Sequence, residues 1–134
     1  MPSFGTLKAD TLTHSTAGSL TTNYVVNGSA KQWVNITGTG TPAANDSFNT
    51  SSITDTGTGY HTPNLTNAMS NANYTYNFTV QRNATNDVVF VAHRYDADPT
   101  TSSYTPRTFH VDHDTSPVGE DPGILCCSIH GDLA

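Results

Sequence analysis

A chain of 134 residues is the size of one domain, with room at most for a small terminal appendage, so two full catalytic domains are excluded. Thr, Ser and Asn number 23, 12 and 12, whereas Leu, Ile, Val and Phe together number only 24, a composition that suits turns and exposed strand faces and supplies little core. The net charge is −6, and the five basic residues stand singly at Lys8, Lys31, Arg82, Arg94 and Arg107, which argues against a phosphate-tracking stripe and against nucleic acid as a partner.

Residues 5–22, GTLKADTLTHSTAGSLTT, alternate weakly, hold no aromatic and cannot cover a core alone. We take residues 1–22 as an attachment or chain-winding segment and residues 23–134 as the folded domain. Tyr24, Val25 and Val26 meet Asn27-Gly28, a dipeptide that tolerates positive φ at both turn positions, so a β-hairpin is expected there. The returning strand would be 31–37, with Trp33 on one face, expected in the core, and Val34 and Ile36 on the other. The Gly-Thr-Gly that follows ends it.

Residues 47–54 read as one strand around Phe48 and Ile53, and the Gly-Thr turn within 55–59 leads into a strand at 60–65, where Pro63 is expected at an edge or a bulge. Tyr74, Tyr76, Phe78 and Val80 give the cleanest period-two signal of the chain, with Thr75, Asn77 and Thr79 turned the other way. Residues 88–95 are apolar on both faces, the pattern of a central strand covered on two sides. A polar loop at 96–106, a strand at 107–113, a second loop at 114–122 and a last strand at 124–130 complete the chain.

About eight strands at roughly 8 to 12 residue spacing, with no sustained helical period, predict an all-β fold, an antiparallel β-sandwich behind a short extended N-terminal segment. The apolar content falls to the level associated with disorder, yet the modest charge and the alternation point to a folded chain. The expectation is that copies of the chain complete the core by association, as a homotrimer. No apolar run approaches the roughly 20 residues that span a bilayer, so membrane insertion is not expected. Residues 1–18 lack the charged start and apolar middle of a secretory leader, and export by another route, such as host lysis, is expected.

Motifs for chemistry are sparse. There is no G-x-S-x-G, no P-loop and no dinucleotide fingerprint. Eight Asn residues (27, 35, 45, 49, 64, 73, 77 and 83) satisfy the glycosylation pattern, as chance allows in a chain so rich in Asn and Thr. Cys126 and Cys127 are adjacent, would point to opposite faces of a strand, and are read as free thiols. His110, Asp112 and Asp114 alternate and would share a strand face. Three copies of such a His about a threefold axis could bind a transition metal, but a polar outer face is the plainer reading, and no metal or cofactor is expected.

Asp96, Asp98, Asp112, Asp114, Glu120 and Asp121 crowd into proline-containing loops, where solvation is the plainer reading than a glycosidase pair. Of the aromatics able to stack on sugar rings, Trp33, Tyr60, Tyr95 and Tyr104, the last sits in a polar loop. It is the better candidate for a recognition surface, together with Asp96, Asp98 and Arg107.

The order of turn, tryptophan strand and Gly-Thr loop in NGSAKQWVNITGTGT, followed by DSFNTSSITDTGTG and AMSNANYTYNF, resembles a module of bacteriophage tail fibres and related virion proteins. The closing ILCCSIHGDLA looks like the final strand of many fibre tips. The segment after Gly59 departs from that pattern through His61 and Pro63, which puts the pairing of this strand in question. The resemblance implies a non-enzymatic, trimeric virion appendage, attached to other virion proteins by its N-terminal part and facing a host surface glycan or protein with its sandwich. Two alternatives stand beside it: a decoration or joining subunit of capsid or baseplate without receptor contact, and a capsular polysaccharide depolymerase.

Overall fold

The computed structural model describes residues 9–15, 18–83, 88–111 and 116–134. Thr11–His14 (β1) and Gly18–Thr21 (β2) form an antiparallel hairpin, followed by a short helix, Thr22–Gly28 (α1). Nine further strands then build two sheets: Gln32–Thr37 (β3), Ala43–Phe48 (β4), Thr50–Gly57 (β5), Tyr60–Leu65 (β6), Thr75–Gln81 (β7), Phe90–His93 (β8), Pro106–His110 (β9), Val118–Gly119 (β10) and Ile124–His130 (β11). The first sheet runs β4-β3-β11-β7 and the second holds β5, β6, β8, β9 and β10, every pairing antiparallel. The two pack face to face as a sandwich, as the strand count and alternation predict.

Alternation decides what the first sheet buries. In β3, Val34 and Ile36 are sealed, and in β11 so are Leu125, Cys127 and Ile129, while β7 turns Tyr76, Phe78 and Val80 inward and Thr75, Asn77 and Thr79 outward. The second sheet answers with Leu65 from β6, and Met69, Tyr74 and Tyr104 fill the remaining space. Tyr76 is the hub of an aromatic stack, 5.2 Å from Phe78, 4.9 Å from His93 and 6.1 Å from both Tyr74 and Tyr104.

Four expectations are corrected. The Asn27-Gly28 hairpin is not formed: Tyr24 to Gly28 lie in α1, neither turn residue has positive φ, and β3 pairs instead with β4 and β11. A two-residue primed turn needs positive φ at both positions; here Val25 and Val26 do not alternate, and no strand pairs back onto β3 from that side. The single strand expected at 47–54 is two. Asn49, at φ 54°, breaks the run and carries the chain from the first sheet to the second, held by bonds from its side chain to Lys31 O and Asn67 O and from the Asn67 N–H to its Oδ1.

The third correction concerns residues 88–95. The regular strand is only β8, and it is an edge rather than a central strand. Arg107 of β9 pairs with both Ala92 and Tyr60, and Phe109 with both Phe90 and Gly119, so β8 occupies one flank of β9 while β6 and β10 share the other. Among the described residues nothing pairs with the outer side of β8. The fourth is Trp33, which faces solvent, 40% exposed, because Val34 and Ile36 take the inward positions of its strand.

Pro63 is paired on one side to Ile53 of β5, in a strand whose pairing to β9 is confined to Tyr60↔Arg107, so its missing N–H falls where the ladder is sparse. The turn before β6 is fixed by Gly59, at φ 80°. A side chain there would lie 2.2 Å from Thr108 O, so only glycine lets the β5–β6 hairpin close against β9.

Candidate functional site

The outward face of the second sheet carries a ladder of aromatic and guanidinium groups. Its members come from alternate positions of β8 and β9 and from the start of β6: Phe90 stacks on Phe109 at 5.7 Å, the Arg107 guanidinium lies 5.3 Å from the Phe109 ring and 5.9 Å from the Tyr60 ring, and Arg94 sits 4.5 Å over the other reach of Tyr60. Arg94 grips Asp96 with both ends of its fork, Nε to Oδ1 at 2.5 Å and Nη2 to Oδ2 at 3.0 Å. That hydrogen bond holds the Asp96 carboxyl below the usual carboxylate range and raises Arg94 in turn.

Of the four residues singled out for recognition, the structure brings Asp96 and Arg107 to this one neighbourhood, where Arg107 also acts electrostatically on Asp96. Asp98 is exposed in the turn beyond. Tyr104 is corrected: it is 1% exposed, its ring is in the core, and its hydroxyl donates to Gln32 Oε1 at 2.8 Å, so it presents nothing to a partner. The reason lies in the strand that follows. Tyr104, Pro106 and Thr108 are buried at alternate positions, an inward row that the polar loop composition concealed. Arg94, Phe90 and Phe109 are not singled out in the sequence, although the period-two rows 90, 92, 94 and 107, 109 carry their signal; Tyr60, one of the aromatics able to stack on sugar rings, joins them from β6.

The second outward face, on the first sheet, is of a different kind. Trp33 is paired directly with Phe48, which is 53% exposed, and the register continues through Ser128 and Asn77. A parallel row follows one pleat along, Asp46, Asn35, Cys126 and Thr79. Beside Trp33 the surface dips into a shallow depression of ≈ 160 Å³ lined by Asn77, Thr79, Cys126, Cys127 and Ser128.

Titratable side chains inside the sandwich are few. His110 Nδ1 lies 2.6 Å from Glu120 Oε2, so this histidine pairs with a buried carboxylate; Asp112 and Asp114, with which it was expected to share a face, lie outside the described residues. His61 is wholly buried, its Nε2 3.6 Å from Asp121 Oδ1, and that oxygen accepts the Gly59 N–H at 2.8 Å. Cys126 and Cys127 are free thiols on opposite faces of β11, and burial pushes the Cys127 thiol up to about 12. Among the described residues no group of three or more His, Cys, Asp or Glu is placed to hold a metal ion, and no helix is long and apolar enough to cross a membrane. No protein family, characterised protein or solved structure was found to match the chain.

Proposed function

We propose that the chain is a non-enzymatic bacteriophage virion protein, a component of a tail or other fibre that associates as a homotrimer and contacts the host cell surface. The observation that carries the reading is the apolar surface one copy leaves uncovered. Val88 and Phe90 are about half exposed at the start of β8, whose outer edge is unpaired among the described residues, and Val111, just past β9, and Val118, on β10, are about half exposed as well. A bare edge strand flanked by apolar side chains is a template for pairing with another chain, and soluble proteins cover such edges or blunt them.

A specific interface needs about 800 Å² from each partner, more than these four side chains offer. The N-terminal hairpin and helix offer a further uncovered apolar surface, because Leu12, Leu20, Tyr24, Val25 and Val26 are all exposed and α1 buries no residue. The same segment would join the chain to other virion proteins. The resemblance of residues 27–41, 46–59 and 68–78 to fibre modules supports the particle assignment, and the sandwich supports a rigid platform for host contact.

Light scattering across a micromolar dilution series tests the association: a mass near three chains is expected, and Phe90→Asp should lower it towards one. A stable wild-type monomer would overturn the trimer. Antibody labelling of phage particles in the electron microscope tests the location. Label on an exposed appendage supports the reading, label blocked by surrounding proteins indicates a joining subunit, and new reducing ends released from host polysaccharide would replace it with a depolymerase.

A further inference from the structure

We propose that the outward face of the first sheet is a binding site for a neutral saccharide, with the Trp33 indole as its stacking platform. Alternate residues on four neighbouring strands bring Phe48, Trp33, Ser128 and Asn77 into one row across the sheet, and Asp46, Asn35, Cys126 and Thr79 into the next. At about 4.8 Å between strands a row extends for roughly 14 Å, the scale of a short oligosaccharide rather than a single ring.

Three features select the ligand. The first is a flat aromatic. Indole presents a broad apolar face to the C–H side of a pyranose, and Trp33 is 40% exposed on the outward side of β3 although a protein this poor in apolar side chains had every use for it inside. The second is the chemistry around it. Ser128, Asn77, Asn35 and Thr79 offer short hydroxyl and amide groups that both donate and accept, which matches the mixed donor and acceptor edge of a sugar and not the one-sided edge of an anion. Asn45 tightens the arrangement, donating from Nδ2 to Asn35 Oδ1 at 2.9 Å and accepting at Oδ1 from Thr37 Oγ1 at 3.1 Å, so the Asn35 amide is oriented in advance.

The third feature is charge. Neither row contains a basic side chain, Asp46 is the one acidic residue in them, and the chain carries −6 overall. An acidic glycan or a phosphate would meet repulsion with no compensating cation, while a neutral saccharide would not. The depression at Asn77, Thr79, Cys126 and Ser128 is smaller than the pockets that enclose drug-sized ligands, of about 300 to 1,000 Å³. It suits one edge of a ring lying on an open surface. A cross-strand aromatic pair alone would also explain Trp33 and Phe48; it would not explain the row of amides and hydroxyls that continues from them.

The inference deepens the host-contact reading by naming the site and the ligand class, and it rests on that reading only for its biological setting. Trp33 is the sole tryptophan, so intrinsic fluorescence reports on the site directly. The purified full chain is titrated with gluco-, galacto-, manno- and N-acetylglucosamine oligosaccharides, with oligogalacturonate as the acidic control. A saturable emission shift, with protection from acrylamide quenching, is expected for at least one neutral oligosaccharide and not for the acidic one. By calorimetry, Trp33→Ala should weaken that binding by about tenfold or more. Asn77→Ala, at an exposed position that cannot compromise the core, should weaken it by a smaller factor.

No response to any neutral oligosaccharide, binding that survives Trp33→Ala, or a preference for the acidic one overturns the proposal. Particle labelling fails or succeeds separately: saccharide binding without label on phage removes the virion setting and keeps the site, and label without binding does the reverse.

Discussion

The hydroxyl of Tyr104, which leads into β9 of one sheet, donates a 2.8 Å hydrogen bond to Oε1 of Gln32, which opens β3 of the other, and both side chains are fully enclosed. Gln32 is satisfied at its other end too, since its Nε2 donates to Thr50 Oγ1 at 2.9 Å. One polar chain therefore ties the two sheets across the core. A buried hydrogen bond adds modestly when made and costs much more when half of it is removed.

Tyr104→Phe is expected to lower stability by about 1 to 3 kcal/mol, since it leaves the Gln32 carbonyl buried without its donor. Gln32→Leu should cost a similar amount by stranding the phenol. The Tyr104→Phe, Gln32→Leu double variant should cost clearly less than the sum, because neither polar group then remains. Urea unfolding of the four proteins supplies the cycle, and strictly additive losses would show that the bond does not couple the sheets.

Gly59 and Gly40 separate backbone strain from steric conflict. Both have positive φ, but a methyl group on Gly40 meets nothing within 4 Å, whereas on Gly59 it lies 2.2 Å from Thr108 O and 2.9 Å from Glu120 N. Those two atoms hydrogen-bond to each other at 3.1 Å, and Thr108 N–H bonds to Gly59 O at 2.8 Å, so the intrusion falls on a ladder that cannot yield cheaply. Gly40→Ala is expected to cost about 1 kcal/mol from φ alone, and Gly59→Ala roughly 3 kcal/mol or more. Thermal melts of the two variants read the difference, and equal losses would exclude the close approach as the cause.

These contacts show where the sequence was readable. β3, β7 and β11 each bury one face, so period-two alternation reports them; the inward set Tyr76 and Phe78 could be assigned from the letters, whereas in β3 the letters favour the Trp33 face over that of Val34 and Ile36. Alternation cannot say what lies over an apolar face. The doubly apolar stretch around Phe90 therefore looked central although its outer side is bare, and Trp33 looked internal although its neighbours had taken the interior. The crossing at Asn49 and the plug at Tyr104 depend on partners 18 and 72 residues away, Asn67 and Gln32, which no local pattern records.

Alkaline pH should unfold the protein from the core outward. Burial, with Tyr76 beside it, pushes the Tyr74 phenol up to about 12 from 10.0, and burial, with Cys126 adjacent, pushes the Cys127 thiol up to about 12 from 9.0. Tyr104 is raised as well, by burial first and then by Cys127. In each case the folded state holds its proton more tightly than the unfolded chain. The stabilisation is therefore complete below the unfolded pKa and is lost as pH rises through the folded one, at up to about 1.4 kcal/mol per pH unit for each group. The expected loss begins near pH 9 with Cys127 and steepens near pH 10 as the tyrosines join. Cys127→Ala should remove the first part and leave the second, which urea midpoints measured across the alkaline range would show; a flat profile up to about pH 11 contradicts it.

His61 and Thr108 test whether polarity in the interior is there for stability. Thr108 Oγ1 donates to Glu120 O at 2.6 Å and lies 3.3 Å from Gly59 O, so its hydroxyl is engaged. His61 is equally buried, yet neither ring nitrogen makes a hydrogen bond, and Asp121 Oδ1, 3.6 Å from Nε2, is already committed to the Gly59 N–H. Removing an engaged hydroxyl strands its partner, whereas removing an unbonded ring removes a desolvation cost. Thr108→Val is therefore expected to destabilise by about 1 kcal/mol, and His61→Leu, of comparable bulk, to leave stability unchanged or to raise it. Denaturant midpoints decide between these outcomes, and a loss of several kcal/mol in His61→Leu would show that the Asp121 contact, despite its length, holds the β5–β6 turn against the strands behind it.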